Sequence, residues 1–249
     1  MVNWQYLIEE MYDHASDDAE PMAKYQRNQF PFLGIKSQTR RDIFKPYLKK
    51  AKAEGKLRFM ENPNQAIIDW AFVDEFWSLS EREFQYLVCD YFKEMKNYLQ
   101  VDDLPRLKTL IVQKSWWDSV DALVKTIGYL VHKNPGLKSE MVAWSLSDNI
   151  WLKRTSMIHQ LGMKEQTDKI LLAETCENCL HTDEFFINKG MGWILRDYAK
   201  TNQTWVENFL KNHESDLSNL TWREATKHFC LEKTRYNAIF QRGKSLNYY

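Results

Sequence analysis

Ser147-Asp-Asn-Ile-Trp-Leu-Lys-Arg154 opens on polar residues, continues through an aromatic one and closes on a basic one, at the start of an amphipathic segment. The same order recurs in Thr182-Asp-Glu-Phe-Phe-Ile-Asn-Lys189 and in Ser218-Asn-Leu-Thr-Trp-Arg223, and Ser115-Trp-Trp-Asp-Ser-Val-Asp121 fits the same slot. The matched positions Asp121, Arg154, Lys189 and Arg223 lie 33, 35 and 34 residues apart. A period near 34 with two helices in each unit is the pattern of an α-solenoid. A single helix pair cannot bury its own apolar face, so neighbouring pairs must stack. Stacking sets equivalent positions side by side as a column along one face of a curved array. The expected fold is therefore an all-α solenoid.

Composition agrees. The 249 residues contain only 8 Gly and 6 Pro, too few for the many turns of a β-sandwich or barrel, and 44% of them are hydrophobic, enough for a core. Residues 3–13 place Trp4, Leu7, Ile8 and Met11 on one helical face, and residues 82–96 align Phe84, Leu87, Val88 and Phe92. Ser80 with Glu83 has the spacing of a capping box for the second of these helices. Breaks are expected at Pro31 to Gly34, Asn62 to Asn64 and Asn134 to Gly136. With no long linker or low-complexity tract, residues 1–249 are expected to form a single repeat domain.

The formal net charge is zero, from 34 basic and 34 acidic side chains, which by itself counts against a polyanionic partner. The distribution is uneven. Residues 1–19 carry five acids and no Lys or Arg, a net of −5, whereas residues 20–58 carry eleven basic residues against three acids, a net of +8. A local basic field can steer a polyanion regardless of the total. The N-terminus has no basic stretch followed by an apolar run, and no segment is long and apolar enough to cross a bilayer, so neither secretion nor a membrane is expected. Four scattered cysteines (Cys89, Cys176, Cys179, Cys230) fit a reducing, cytoplasmic setting.

The column of Asp121, Arg154, Lys189 and Arg223 combines three cations with one carboxylate. It is either a solvated helix face or a phosphate-binding rail with one acid set into it. Trp116 and Trp117 precede the acid, and Trp193 lies one turn beyond Lys189. Each tryptophan alone would more ordinarily be core. A carboxylate, several tryptophans and several cations directed to one groove make a more specific combination.

Lys114-Ser-Trp-Trp-Asp-Ser-Val-Asp121, Ser147 to Arg154 and Gly192-Trp-Ile-Leu-Arg-Asp-Tyr-Ala-Lys-Thr-Asn202 resemble the segments that define AlkD-type DNA alkylation repair proteins. So do Ala19-Glu-Pro-Met-Ala-Lys-Tyr25 and Phe32-Leu-Gly-Ile-Lys36 followed by Arg40-Arg41. The likeness runs from about residue 19 to about residue 230. It departs between about Lys52 and Phe76 and after about Leu231. The resemblance implies HEAT-like repeats with a concave DNA-binding face and hydrolysis of the glycosidic bond of N3- or N7-alkylated purines. It implies Asp121 as the catalytic aspartate, Trp117 and Trp193 as the tryptophans lining the site, and Arg154 as the site arginine. Lys189, Arg223, Tyr25, Lys24 and Arg27 are expected to contact DNA. The implied partner is double-stranded DNA carrying alkylated purines, met by a monomer with no metal, nucleotide or other cofactor. Some relatives have lost the active-site residues and only bind DNA, whereas this chain keeps all four.

The chemistry is consistent with that set. A purine alkylated at N3 or N7 is already cationic and leaves as a neutral base, so no strong general acid is required. The developing charge falls on the sugar. An anion near C1′ and electron-rich aromatic faces are what such a transition state needs. Other motifs are weaker. Cys176-Glu-Asn-Cys179 followed by His181 has no second ligand pair close in sequence, so buried structural cysteines are expected rather than zinc. The six histidines lack ligand spacing, and Asp102-Asp103 and Asp17-Asp18 fit surface acids. Two alternatives stand beside a glycosylase: a non-catalytic relative that binds DNA by its structure, and a HEAT-like scaffold for proteins.

Overall fold

A computed structural model describes residues 2–229, and among these every regular element is a helix. The helices are α1 (Trp4–Asp13), α2 (Ala19–Tyr25), α3 (Ser37–Glu61), α4 (Trp70–Ser78), α5 (Arg82–Met95), α6 (Leu104–Val112), α7 (Trp117–Lys133), α8 (Lys138–Ser145), α9 (Ile150–Ile158), α10 (Lys169–Glu177), α11 (Phe185–Asn212) and α12 (Asn219–Ala225). Short 3₁₀ turns fill several of the connections. The chain divides into two compact units, Met1–Pro135 and Gly136–Tyr249.

In the first unit α1 packs on α3, α3 and α4 on α5, and α5 and α6 on α7. The reason is the stripe anticipated from the spacing: Leu7, Ile8 and Met11 of α1, and Phe84, Leu87, Val88 and Phe92 of α5, are buried. Aromatic rings form the centre. Phe72 lies 4.1 Å from Trp4 and 4.4 Å from Phe76 between ring centroids, and is fully enclosed. Burying one such ring stabilises the fold by about 1.5–3 kcal/mol. Residues 31–34 and 62–64 interrupt the helices as expected.

The capping box expected at Ser80 and Glu83 does not form. α5 begins at Arg82 with Glu81 as its N-cap, and no side chain bonds the first turn. Glu83 is instead fully buried, and its carboxylate accepts the backbone N–H groups of Leu33, Gly34 and Ile35 at 3.0, 2.9 and 3.1 Å. The Pro31 to Gly34 break is thus a loop whose end is tucked inside, where its amides need an acceptor. Gly34 adopts φ +87°, and a Cβ there would lie 2.5 Å from the Ser16 carbonyl oxygen. The left-handed turn and the close approach both require glycine.

In the second unit α8 packs on α9 and α10, α9 on α10 and α11, and α12 on α11. Three helices of this unit, α9, α10 and α12, start on a side-chain cap, whereas α11 has none. Asn149 accepts from the amides of Trp151 and Leu152, Asp168 from Ile170 and Leu171, and Ser218 from Thr221. The long α11 is two helices joined at Asn202, which has φ −144° and ψ 78° and whose side chain caps the amide of Trp205. The repeat seen in the sequence is real. Helices α7, α9, α11 and α12 start 33, 35 and 34 residues apart, with one helix intervening each time. Asp121, Arg154, Lys189 and Arg223 each occupy the fifth position of their helix.

Cys89, Cys176 and Cys179 are free and buried. Burial pushes the thiol of Cys89 up to about 12 and that of Cys179 up to about 11, and holds Cys176 well above its ordinary value. They are packed thiols rather than thiolates ready to bind a metal. Cys230 lies outside the described residues.

Candidate nucleic-acid interface

In the first unit the C-terminus of α2 meets the N-terminus of α7. Tyr25 ends α2, Gln26 follows it, and the chain turns through left-handed Arg27 and Asn28 (φ 57° and 55°). The approach to α7 has its own left-handed residue, Lys114 (φ 48°). The Lys114 ammonium is anchored on the carbonyls of Ser78, at 3.0 Å, and Leu79. Burial, reinforced by the Arg82 charge, lowers its pKa. These two turns bring the exposed Tyr25 ring edge-on to Trp117 at 6.2 Å, and the Trp116 indole N–H donates to the buried Gln26 side chain at 3.0 Å. Lys24 and Arg27 are exposed on either side of Tyr25. Asp121 is half-buried one turn beyond Trp117 on α7, so the two share a face.

Beneath this face lies a network that no sequence motif announced. Arg82, with no exposed surface, donates from Nε and Nη2 to the two carboxylate oxygens of Asp118 at 3.0 and 2.6 Å. It also donates to the Lys114 carbonyl at 2.8 Å and to Ser119 Oγ at 2.7 Å, while its guanidinium carbon lies 3.9 Å from the centre of the Phe30 ring. Tyr86 donates its hydroxyl proton to Asp118 at 2.6 Å; burial and the Asp118 charge hold that phenol well above its usual pKa. One buried ion pair thereby clamps the first turn of α7, which carries Trp117, to α5 and to the Lys114 turn. Asp118 stands inside the Trp-Trp-Asp-Ser-Val-Asp motif, but its partner is 36 residues away and carries no spacing signal.

In the second unit Arg154 is only 3% exposed. Its Nη1 donates to the Phe186 carbonyl at 2.6 Å and its guanidinium carbon lies 5.9 Å from the centre of the Trp193 ring. It is a buried strut beside Trp193 rather than an open surface cation. Trp151 is core, packed 4.9 Å from Phe186. Lys189 is ion-paired at 2.6 Å with Glu224, whose other oxygen takes Arg196. Burial raises the Glu224 pKa, but the two cations outweigh it and the net shift is downward. Of the three cations expected to form a phosphate rail, Arg223 is the one that stands exposed. The local charge offered to a polyanion is therefore smaller than the column suggests, because Glu224, absent from the sequence-level column, cancels part of it.

Gly190 leaves room for Arg154. A Cβ at that position would lie 2.8 Å from Arg154 Nη1. Alanine is favoured over glycine inside a helix by about 1 kcal/mol, so Gly190→Ala should leave the melting temperature nearly unchanged, propensity offsetting the clash. The displaced guanidinium should loosen Trp193. If this site excises alkylated bases, as the resemblance implies, single-turnover excision should slow by about 10- to 100-fold, the cost of a misplaced site group. Parental excision by the alanine variant would remove Arg154 from the site.

Among the described residues no group of three or more His, Cys, Asp or Glu could hold a metal, and no helix is long and apolar enough to cross a membrane.

The family model of the DNA alkylation repair enzymes matches residues 7–229. No curated protein matches the chain. Among solved structures, a predicted DNA alkylation repair enzyme from Enterococcus faecalis is 31% identical, with a TM-score of 0.75 over 87% of this chain and 96% of that one. The family match includes every candidate residue from Lys24 to Arg223. This chain belongs to the DNA alkylation repair enzyme family.

Proposed function

We propose that the protein is a DNA glycosylase that hydrolyses the N-glycosidic bond of cationic N3- or N7-alkylated purines in duplex DNA. The observation that carries this is the face on which Tyr25 and Trp117 meet with Asp121 one turn away. Family membership makes DNA the substrate to consider. An alkylated purine departs as a neutral base, and positive charge grows on the sugar. Asp121 supplies the counter-charge and holds the attacking water, and the face of Trp117 stabilises the same charge through cation–π attraction; the resemblance alone adds Trp193 to this set. Arg154 holds Trp193 in place from beneath. Lys24, Arg27, Lys189 and Arg223 contribute contacts to phosphate, with Lys189 oriented by Glu224.

The direct test is incubation with methylated duplex DNA and chromatography of the released bases. Release of 3- and 7-methylpurines, unchanged by excess chelator, is expected. Binding without release would favour a relative that only recognises DNA structure, and absence of binding would favour a protein scaffold.

Arg223 offers the cleanest probe of phosphate contact because it is exposed. Arg223→Ala should flatten the dependence of log affinity on log salt by about 0.9, the loss of one phosphate contact. An unchanged slope in a titration across salt concentrations would place Arg223 off the DNA.

A further inference from the structure

The open face of α7 does not end at Asp121. At 100° per residue, Lys125, Tyr129 and Lys133 fall 40°, 80° and 120° from Asp121, within one arc that the core does not cover. The opposite arc is the buried one, formed by Val120, Leu123, Val124, Ile127, Leu130 and Val131. Lys125 and Lys133 are exposed and Tyr129 is half-buried. The 3₁₀ turn after α5 packs on α7 and adds Lys96. The Lys96 and Lys133 ammonium groups lie 5.2 and 5.9 Å from the centre of the Tyr129 ring. None of Lys96, Lys125 and Lys133 has an ion-pair partner among the described residues, in contrast to Lys52, Lys138 and Lys189. Two ammonium groups drawn to one ring repel each other, and the ring's quadrupole compensates only part of that. An anion is the missing complement.

We propose that Lys96, Lys125, Tyr129 and Lys133 form a second phosphate-backbone contact, which carries the duplex on one side of the target nucleotide. The inference rests on the glycosylase reading for its DNA and extends that site along the same helix. Asp121 to Lys133 spans about 18 Å of helix axis, at about 1.5 Å per residue. That length matches about five nucleotides of one strand, at about 3.4 Å each. A patch that binds phosphate and touches no reacting atom raises affinity without altering the chemical step, and it helps offset the repulsion between Asp121 and the strand.

The test is fluorescence anisotropy with an undamaged duplex across a salt series, comparing the parent with the triple variant Lys96→Gln, Lys125→Gln, Lys133→Gln. The variant should flatten the slope of log affinity against log salt by about 2.7, three contacts at about 0.9 each. Single-turnover release from methylated DNA at saturating protein should stay within about twofold of the parent, because the reacting nucleotide is elsewhere. An unaltered slope in a variant whose parent binds DNA overturns this proposal alone. Failure of the parent to bind any duplex overturns the DNA reading and this extension together.

Discussion

Asp121→Asn is expected to bind undamaged duplex as tightly as the parent or more tightly, and to excise alkylated purines about 100- to 1,000-fold more slowly. The substitution keeps shape and hydrogen-bonding capacity and removes only charge. On a DNA-facing surface a carboxylate repels phosphate, so its removal should not weaken binding. On the proposed mechanism excision suffers because an oxocarbenium-like transition state loses its counter-charge. An aspartate that served only as a helix-surface residue would give the opposite pattern, with little change in either measurement. Single-turnover base release and binding titrations on one preparation decide between these, with a melting curve to exclude unfolding. Near-parental excision by a folded Asp121→Asn protein sinks the catalytic assignment.

The second large effect is on stability. Arg82→Met leaves the Asp118 carboxylate enclosed without its cation, and breaking a buried pair in this way costs about 3–5 kcal/mol. The parent pair is well inside, with side-chain exposures of 0% and 6%. Thermal unfolding should therefore fall by about 6–20 °C, since each kcal/mol shifts a domain of 150–250 residues by about 2–4 °C. Replacing both charges, as Arg82→Met with Asp118→Leu, should recover much of the loss, because neither group is then stranded. Recovery should be incomplete until Tyr86→Phe removes the hydroxyl that lost its acceptor. A single Arg82→Met variant that melts with the parent would show that the clamp contributes nothing. The restored triple variant also separates stability from function: if the clamp aims Trp117, excision stays slow after melting has recovered.

The helices and their period were legible because their causes are local. A helix is decided by bonds four residues apart and by which side chains share a face, and both are written in consecutive residues. Caps such as Asn149, Asp168 and Ser218 act just as locally, on amides two or three residues ahead, although the one cap anticipated from spacing, Ser80 with Glu83, does not form. The equivalence of Asp121, Arg154, Lys189 and Arg223 follows from spacing alone, and the structure sets each at the same helical position.

What those side chains do once folded was not legible. Spacing assigned Glu83 to a cap, yet burial gave it three amides from a loop almost fifty residues away. Lys189 read as a free cation until α12 brought Glu224 against it. Arg154 read as a surface contact until packing enclosed it beside Trp193. Tyr25 and Trp117 meet only because left-handed residues turn both approaching chains. Local spacing and motifs were enough for the all-helical repeat, the family and the identity of the candidate residues. Packing settled which charges are neutralised, which rings meet and that Asp118 is clamped by Arg82. Those outcomes depend on desolvation and on contacts between residues 35 to 90 apart, where a charge's partner is set by what is packed against it.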